Sequence, residues 1–435
     1  MTESNEPAPT PHRLVVVGGG VAGLDIATRL AGQTAGDHPL AITLIDREPA
    51  YVWKPMLHTV AAGTSDAGAQ ETVFAAHALG HGFRFEFGEA VAIDRERRRV
   101  SLAALKIDGE EIAAARSIDY DTLVLAVGSR ADDFGTPGVA DHCARIDCRS
   151  DAIAFNERLR VELVKSVATG RPLTIGIVGG GATGVELAAE LIETTATLEH
   201  YGAKDASENL RVVLIEAGPR LLGAFPEKVA DEARHKLEQL GVMVQTGNRV
   251  TGVEAEGFVM AEGEPIAAQL MVWAAGVTAP PLLDTLDLER SRNGQLVVGA
   301  TLSAPGDSRI YALGDCANPR LPNRDAPVPT TAQAASQQAD YLCRHLPALI
   351  ADGAAPPASY RDFGSLVSLG GYDAYGTLGR FGLFKGGFIR GKVAQLGHAM
   401  LYRRYQARLH GLGRGSLLWL TDTLNRRVRT RVKLS

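Results

Sequence analysis

The sequence predicts an α/β fold with two Rossmann-like domains and a separate C-terminal region. Two observations indicate this architecture. A strand, a glycine-rich turn, a helix and a second strand ending in an acid occur in that order twice, about 160 residues apart. The last part of the chain departs from this pattern and is strongly basic. We therefore expect a duplicated α/β body followed by a region of different character.

The composition is that of a large globular protein. The chain has 435 residues, of which 45% are hydrophobic and 22% are charged, so disorder is excluded. Four cysteines argue against a disulfide framework. The polar, proline-containing start shows no signal peptide, and no apolar run reaches the 18 residues of a spanning helix. We expect a protein that does not cross a membrane.

The first unit begins with a β-branched run at residues 13–17, followed at once by a glycine turn. A turn this tight needs Gly18, Gly20 allows backbone N–H groups to approach a pyrophosphate, and Gly23 allows close packing of helix and strand. The helix N-terminus favours phosphates. Asp46 ends the next strand, where it can accept hydrogen bonds from an adenosine ribose. The unit therefore predicts a dinucleotide site.

The second unit repeats this order. The strand at residues 173–178 leads into Gly179, Gly181 and Gly184, a helix predicted over 185–196, and a strand ending in Glu216. Residues 200–209 are predicted to be a polar loop. A carboxylate at Glu216 bonds ribose hydroxyls and repels a 2′-phosphate, which favours NADH over NADPH. Arg220, four residues further on, is the one nearby residue that could favour NADPH.

A third motif is Gly314-Asp315, which follows a short strand and precedes a helix predicted over 330–345. With it, the chain resembles the two-dinucleotide flavoproteins of the pyridine nucleotide oxidoreductases. The resemblance implies that FAD, bound non-covalently, occupies the first unit and NADH the second. It also implies that Asp315 holds the ribityl chain of FAD. Its further implied cofactor contacts are Gly19, Arg47, Lys54, Val91, Gly128, Gly314 and Ala332 for FAD, and Gly276 for NADH.

More specific motifs resemble the type II NADH dehydrogenases over nearly the full length. These are Trp53-Lys54-Pro-Met-Leu-His58 and the segment 331–338, which resembles the Ala-Gln-x-Ala-x-Gln-Gln motif of that family. Gln333 and Gln337 are four residues apart, so both amides lie on one side of a helix. In the family that side faces the flavin and the quinone. A solvent-facing polar stripe would also fit the spacing alone.

Glu186 lies in the first turn of the second unit's helix. A carboxylate is favoured there by the helix dipole whatever its function. The resemblance implies a position near the nicotinamide and the flavin. We predict that Glu186 positions the nicotinamide or relays protons, which makes Glu186, Gln333 and Gln337 the candidate catalytic residues.

The cysteines distinguish among related flavoproteins. Disulfide reductases carry a Cys-x4-Cys pair after the first FAD strand, where this chain has none. Cys143 and Cys148 have that spacing but lie about 100 residues too late, and we interpret them as structural. Sulfide:quinone oxidoreductases use later cysteines, so that activity stays open as an alternative. The scattered histidines predict no metal and no iron–sulfur cluster.

The C-terminal segment is basic and carries two apolar stripes. From residue 390 on there are eleven Lys and Arg against one acid, so the net charge of −5 divides into +10 here and −15 elsewhere. One stripe is Leu401, Tyr402, Tyr405 and Leu409, and the other is Leu417, Leu420, Leu424 and Val428 with Trp419 beside it. Basic amphipathic helices are typical of a monotopic membrane anchor. A dimer interface and nucleic-acid binding are weaker alternatives, each explaining only the stripes or only the arginines.

Together these features predict a non-proton-pumping NADH:quinone oxidoreductase. We expect an FAD-binding domain at 11–125 and 285–345, an NADH-binding domain at 150–280, and a C-terminal region at 346–435 that binds an anionic membrane through 391–435. The expected partners are a membrane quinone and a second copy in a homodimer, without nucleic acid, at the cytoplasmic face of the inner membrane. An FAD- and NADH-binding protein whose redox state controls membrane attachment is the alternative from a different class.

Overall fold

The computed structural model describes residues 9–107, 109–200, 206–322, 324, 326–371, 373–378 and 387–428. Within these ranges the chain forms a mixed α/β structure. The strands are β1 His12–Val17, β2 Thr34–Ala35, β3 His38–Asp46, β4 Ala50–Tyr51, β5 Thr72–Val73, β6 Arg84–Phe87, β7 Ala90–Asp94, β8 Arg99–Leu102, β9 Leu105–Ile107, β10 Glu110–Ala113, β11 Arg116–Asp119, β12 Thr122–Leu125, β13 Leu173–Val178, β14 Leu210–Glu216, β15 Met243–Thr246, β16 Val250–Glu254, β17 Gly257–Met260, β18 Ile266–Ala267, β19 Leu270–Trp273, β20 Leu296–Val298, β21 Ser303–Ala304, β22 Asp307–Ala312, β23 Ala317–Pro319, β24 Gly364–Leu369, β25 Asp373–Leu378 and β26 Gly387–Arg390.

The helices alternate with strands in the body of the chain, as the duplicated pattern predicts. They are α1 Gly23–Leu30, α2 Leu57–Ala62, α3 Ala67–Gln70, α4 Phe74–His81, α5 Val139–His142, α6 Arg149–Thr169, α7 Ala182–His200, α8 Ala206–Asn209, α9 Glu227–Gln239, α10 Ala332–Asp352 and α11 Lys392–Val428. Short 3-10 helices cover Lys54–Met56, Pro281–Leu286 and Gly314–Cys316.

The chain divides into two compact units, and the first is built on one large sheet. It comprises the described parts of Met1–Tyr51, Thr72–Arg130 and Thr278–Arg361. Its sheet has the order β2-β3-β1-β12-β22-β21, and β6 pairs with β3 on the same edge as β2, further along the strand. The strands β6, β3, β1, β12 and β22 run parallel. Helix α1 packs on β1 and β3. This arrangement brings the ends of β1, β3 and β12 to the same edge.

The second unit is built on a smaller parallel sheet. It comprises Val52–Glu71, Ala131–Val277 and the described part of Asp362–Ser435. Its four strands have the order β15-β14-β13-β19, and every pairing in that sheet is parallel. Strands β13 and β19 are buried on both faces, which explains their nearly continuous apolar sequences. Two three-stranded antiparallel sheets, β16–β18 and β24–β26, complete the unit.

The structure confirms the predicted α/β class, and its internal contacts divide the chain as follows. The segment Val52–Glu71, predicted to continue the first domain, lies in the second unit because α2 packs against α6 and α7. Leu57 and Ala61 of α2 share a hydrophobic cluster with Phe155 of α6. The C-terminal segment also belongs to this unit, since Val367 of β24 joins the same cluster.

Two predicted elements have different lengths in the structure. Helix α7 begins three residues before the predicted position 185 and extends past 196 to His200. Of the polar loop predicted at 200–209, residues 206–209 form α8, and residues 201–205 lie outside the described ranges. The strands predicted around 365–378 are confirmed as β24 and β25.

Candidate functional site

The glycine turn after β1 is so tight that two of its positions accept only glycine. Gly18 has φ +99°, and a Cβ there would lie 2.4 Å from the carbonyl oxygen of Ala126. A Cβ on Gly23 would lie 1.8 Å from the carbonyl oxygen of Gly18. At Gly20, by contrast, a Cβ would meet nothing within 4 Å. The turn therefore holds α1 close to β1 and leaves open space where a pyrophosphate would approach.

Asp46, at the end of β3, lies directly beside this turn. Its Oδ2 accepts a hydrogen bond from the N–H of Gly19 at 2.5 Å, and its Oδ1 accepts one from Glu48 at 2.8 Å. Burial raises the pKa of Asp46. Arg47 and Val91, two further predicted cofactor contacts, are exposed.

The second glycine turn, after β13, repeats the first in detail. Gly179 has φ +114°, and a Cβ there would lie 2.7 Å from the carbonyl group of Ala274. A Cβ on Gly184 would lie 2.0 Å from the carbonyl oxygen of Gly179, whereas Gly181 again faces open space. The two turns therefore impose the same steric limits at equivalent positions.

Glu216, at the end of β14, has the same contacts as Asp46. Its two carboxylate oxygens accept hydrogen bonds from the N–H groups of Gly180 and Gly218, both at 2.6 Å. Two backbone donors therefore fix the carboxylate beside the second turn, at the position equivalent to that of Asp46 beside the first.

Arg220 does not compete with this carboxylate for the nucleotide. Its guanidinium donates hydrogen bonds to the carbonyl oxygens of Phe225 at 2.9 Å and Gly223 at 3.0 Å, within its own loop. The guanidinium of Arg220 is therefore held within its own loop.

The Gly314-Asp315 pair lies where β22 ends, in the same unit as the first glycine turn. The Oγ of Ser129 donates a hydrogen bond to Oδ2 of Asp315 at 2.9 Å. The N–H of Gly314 donates to Oε1 of Gln338 at 2.6 Å. Gly128, with φ +67°, would place a Cβ in open space. Asp315 and Gly128 therefore lie together, linked through Ser129.

Gln338 is a residue of this site to which sequence reasoning gave no role. It is buried and fixes the backbone of Gly314 from helix α10, whose first residue is the predicted contact Ala332. A signal was present, because Gln338 is the last residue of the glutamine motif. The sequence pattern indicates a role for its neighbour Gln337 instead, because Gln337 lies four residues after Gln333.

Gln333 and Gln337 both turn toward the segment that follows α10. The Nε2 of Gln333 donates to the hydroxyl oxygen of Tyr360 at 3.2 Å. Gln337 donates to the carbonyl oxygen of Arg361 at 2.8 Å and accepts from its N–H at 2.9 Å. The two amides thus share one side of the helix, as their spacing predicts, and Gln337 pairs with backbone on that side.

Glu186 is buried in the second unit. Its Oε1 accepts a hydrogen bond from the N–H of Ser368 at 2.9 Å, and its Oε2 lies 3.4 Å from Nδ1 of His58. Burial, with a smaller contribution from the charge of Glu190, raises the pKa of Glu186 to about 8. The carboxyl group is therefore mostly protonated at neutral pH, although it can release that proton.

Glu190, one helical turn after Glu186, is a second buried acid that sequence reasoning missed. It accepts a hydrogen bond from the hydroxyl group of Thr64. Burial raises its pKa to about 7, because desolvation outweighs that hydrogen bond. The signal for it was the spacing of four residues, which places both acids on one side of α7.

Three of the four cysteines do not have the properties of reactive thiols. Burial raises the pKa of Cys143, Cys148 and Cys316 to about 12 in each case. A thiol with such a pKa is almost wholly protonated at neutral pH and is a weak nucleophile. Cys143 and Cys148 end α5 and precede α6, respectively, which agrees with their interpretation as structural residues.

The two predicted apolar stripes of the C-terminal segment have different surroundings. Helix α11 is interrupted at Gly411, where φ is 74° and ψ is 165°. Before this break, Tyr405 and Leu409 are buried, and Tyr402 contacts Trp53 at 5.2 Å between ring centroids, while Leu401 is exposed. The first stripe is therefore mostly used in packing within the unit.

The second stripe is exposed. Leu417 is 64% exposed, Trp419 59% and Leu420 55%, and Leu424 is also exposed. The remaining member, Val428, has a side chain outside the described set. Among the residues that the structure describes, no helix is long and apolar enough to cross a membrane.

Comparison with known proteins agrees with this geometry. Residues 12–339 match the family model described as pyridine nucleotide-disulphide oxidoreductase. The chain is 38% identical to a type II NADH:quinone oxidoreductase of Haemophilus influenzae, covering 97% of this chain and 99% of that protein. It is 30% identical to the demethylphylloquinone reductase NdbB of Synechocystis, covering 95% and 96% of the two chains.

Solved structures show the same fold. The structure of NDH2 from Plasmodium falciparum in complex with NADH has a TM-score of 0.82 at 17% identity, covering 98% of this chain and 99% of that one. The sulfide:quinone oxidoreductase of Aquifex aeolicus has a TM-score of 0.70 at 18% identity, covering 96% and 95%. The chain therefore belongs to the pyridine nucleotide-disulphide oxidoreductase family and, within it, to the type II NADH:quinone oxidoreductases.

Proposed function

We propose that this protein oxidises NADH and reduces a membrane quinone with FAD as a non-covalently bound cofactor. The observation that carries the proposal is the duplicated site, in which each glycine turn lies against a carboxylate fixed by two backbone N–H groups. FAD is assigned to the unit that holds Asp315, and NADH to the unit that holds Glu216. The full-length similarity to type II NADH:quinone oxidoreductases supports this assignment.

The residues present fit two dinucleotides. Gly20 and Gly181 face open space at the two turns, as close approach of a pyrophosphate requires. The first turn of α1 carries no side-chain cap, so its N–H groups can bind phosphate. When bound, the flavin supplies the ring that takes a hydride from the nicotinamide and passes two electrons to the quinone.

Glu186 is the residue that we assign to proton handling. Its carboxyl group, with a pKa of about 8, holds a proton at neutral pH and lies beside His58. Quinone reduction consumes protons, and a buried acid with a pKa near the working pH suits their transfer. Glu186 therefore holds a proton for the reaction or orients the nicotinamide.

Gln333 and Gln337 are assigned to the quinone. Amide N–H groups are suitable donors to quinone carbonyl oxygens. The Nε2 of Gln333 meets a tyrosine hydroxyl group, a partner that can rotate away, whereas Gln337 is held by two backbone bonds. We accordingly assign direct donation to Gln333 and helix orientation chiefly to Gln337.

The membrane-facing surface is assigned to residues 391–435, and within the described part to the exposed stripe after Gly411. Exposed Leu417, Trp419 and Leu420 provide apolar area, while Arg404 and Arg414 are exposed cations. A helix of this kind lies in the interface of an anionic membrane. We propose peripheral attachment at the cytoplasmic face of the inner membrane, as a homodimer and without proton pumping.

The decisive experiment is NADH oxidation by the purified, yellow protein with a short-chain quinone as acceptor. We expect quinone-dependent turnover and little reaction with sulfide, because the raised pKa values of Cys143, Cys148 and Cys316 make these thiols weak nucleophiles. A protein that retains flavin but shows no quinone-dependent NADH oxidation would exclude this function. Bleaching of the flavin by sulfide without NADH would instead support the sulfide alternative.

A further inference from the structure

Phe134 is an exposed aromatic residue with an unfavourable backbone conformation. Its φ is +52°, and 67% of the residue is exposed to solvent. The left-handed region is rare for bulky residues, and exposure of a large ring gives no packing energy in return. Such a combination is retained where the residue has a function.

The surrounding chain holds Phe134 in place. Its N–H donates to Oδ1 of Asp132 at 2.9 Å, and the carbonyl oxygen of Asp132 accepts from Nε1 of Trp273 at 2.8 Å. Asp133, the other neighbour, forms an ion pair with Arg145 at 2.6 Å. The loop is thus attached to the end of β19 and is too constrained to relax the strain at Phe134.

The ring of Phe134 lies over Gly276. Gly276 has φ +70°, and a Cβ there would lie 2.5 Å from Cζ of Phe134. Any other residue at 276 would displace the ring. The contact therefore explains why this position, three residues past β19, requires glycine.

The strand order gives the place of Phe134 relative to a bound nucleotide. In the sequence β15-β14-β13-β19, Glu216 ends β14, the glycine turn follows β13, and Gly276 follows β19. Ligands of such sheets lie along the carboxyl ends of the strands. With the adenosine ribose at Glu216 and the pyrophosphate at the turn, the other half of the dinucleotide extends toward β19.

We propose that the ring of Phe134 contacts the nicotinamide riboside half of NADH and holds it at this edge of the second unit. The inference rests on the proposed use of NADH but concerns a residue with no role in the motifs above. The strained backbone keeps the ring projecting into solvent, where it is available for a flat ligand such as nicotinamide.

The test compares nucleotides that have and lack the nicotinamide half. In Phe134→Gly, we expect the Kd of NADH to rise roughly three- to tenfold, as the loss of one aromatic contact predicts. The Kd of ADP, which has only the adenosine and pyrophosphate, should change by less than about twofold. Phe134→Tyr keeps the ring and should retain the affinity for NADH.

A stability measurement separates this role from a structural one. Glycine adopts a positive φ without backbone strain, so Phe134→Gly should melt at the same temperature as the wild type or higher. Arg98→Gly is the matched control, because Arg98 has φ +53° in the other unit. It should relieve strain in the same way and leave NADH binding unchanged.

Two results would overturn the proposal: unchanged NADH binding in Phe134→Gly, or equal weakening of NADH and ADP. The titration uses protein whose flavin has first been reduced, so that NADH binds without transferring its hydride. Followed by nucleotide fluorescence, it needs no quinone and gives an answer whether or not turnover is observed. Failure of the wild type to reduce quinone would therefore count against the proposed function and leave this comparison intact.

Discussion

Glu190 illustrates how strongly one side chain can depend on its surroundings. Its carboxyl group is buried on α7, where Thr64 donates its hydroxyl hydrogen bond. One hydrogen bond does not replace the hydration that an ionised carboxylate loses, so burial raises the pKa to about 7. A pKa above that of the unfolded chain means that ionisation of Glu190 favours unfolding.

We predict that the wild type loses stability between pH 5 and pH 8 and that Glu190→Gln loses less of it. Below the ordinary pKa of 4.5 both states are protonated, and between 4.5 and about 7 only the unfolded chain ionises. The stability that the proton contributes is lost over this window, by about 3 kcal/mol for a shift of this size. Melting temperatures measured from pH 5 to pH 8 check the prediction.

The control for this measurement is Glu157→Gln, since Glu157 is an exposed acid on α6. Its profile should follow that of the wild type. A Glu190→Gln profile that also follows the wild type would show that Glu190 is solvated or that its ionised form has another partner.

Helix α11 carries two apolar stripes, of which the first packs within the unit and the second is exposed. Before Gly411, the helix packs against β24 and β25, and Tyr405 and Leu409 are buried. After Gly411 no such packing covers Leu417 and Leu420. A residue with φ of 74° interrupts the helix between these two parts, and glycine adopts that conformation at low cost.

We predict that Leu417→Ser, Trp419→Ser and Leu420→Ser together reduce binding to anionic vesicles by at least about tenfold. Each apolar side chain contributes roughly 1.5–3 kcal/mol when it is removed from water, and the triple variant loses most of that area. Co-sedimentation with vesicles of phosphatidylglycerol measures the effect. The flavin absorbance should be unchanged.

The matched control replaces Val161, Val164 and Val167, an equally exposed apolar set on α6, by serine. This variant should bind vesicles as the wild type does. Deletion of residues 414–435 should release the protein completely. A truncated protein that stays bound at high salt would show that another surface attaches it.

At the scale of the whole molecule, each of the two units carries one glycine turn, and we assign one nucleotide to each turn. The glycine turns at Gly18 and Gly179 have the same steric limits but belong to different units. Their substitution by alanine should therefore have separable effects, since each adds a Cβ at a positive φ within 3 Å of backbone.

We predict that Gly18→Ala is purified without flavin absorbance, whereas Gly179→Ala keeps its flavin and loses affinity for NADH at least about tenfold. Absorbance spectra and NADH titration measure the two effects. Gly32→Ala is the control, because Gly32 has φ +77° but no atom near its Cβ position. Loss of flavin from Gly179→Ala, with retention in Gly18→Ala, would reverse the cofactor assignment.

Much of the fold could be predicted because its signals are local. A strand that turns directly into a helix needs glycine at Gly18 and Gly23 whatever the rest of the chain does, and the same holds in the second unit. Asp46 and Glu216 each end the strand that follows the helix, so the order of the elements predicted their places beside the turns although the two intervals differ in length. The length of α7 and the surroundings of Leu401 and Tyr405 were predicted less well, because helix ends and exposed faces depend on neighbours.

The sequence by itself determined the duplicated α/β class, the two glycine turns with their acids, and the Gly314-Asp315 pair. Only the tertiary structure decided that Val52–Glu71 and β24 join the second unit and there bury Glu186 and Glu190. It also brought Phe134 over Gly276, residues 142 positions apart in the chain. The physical reason is range: steric limits on a turn act between adjacent residues, whereas desolvation and ring contact depend on segments that meet only in the folded chain.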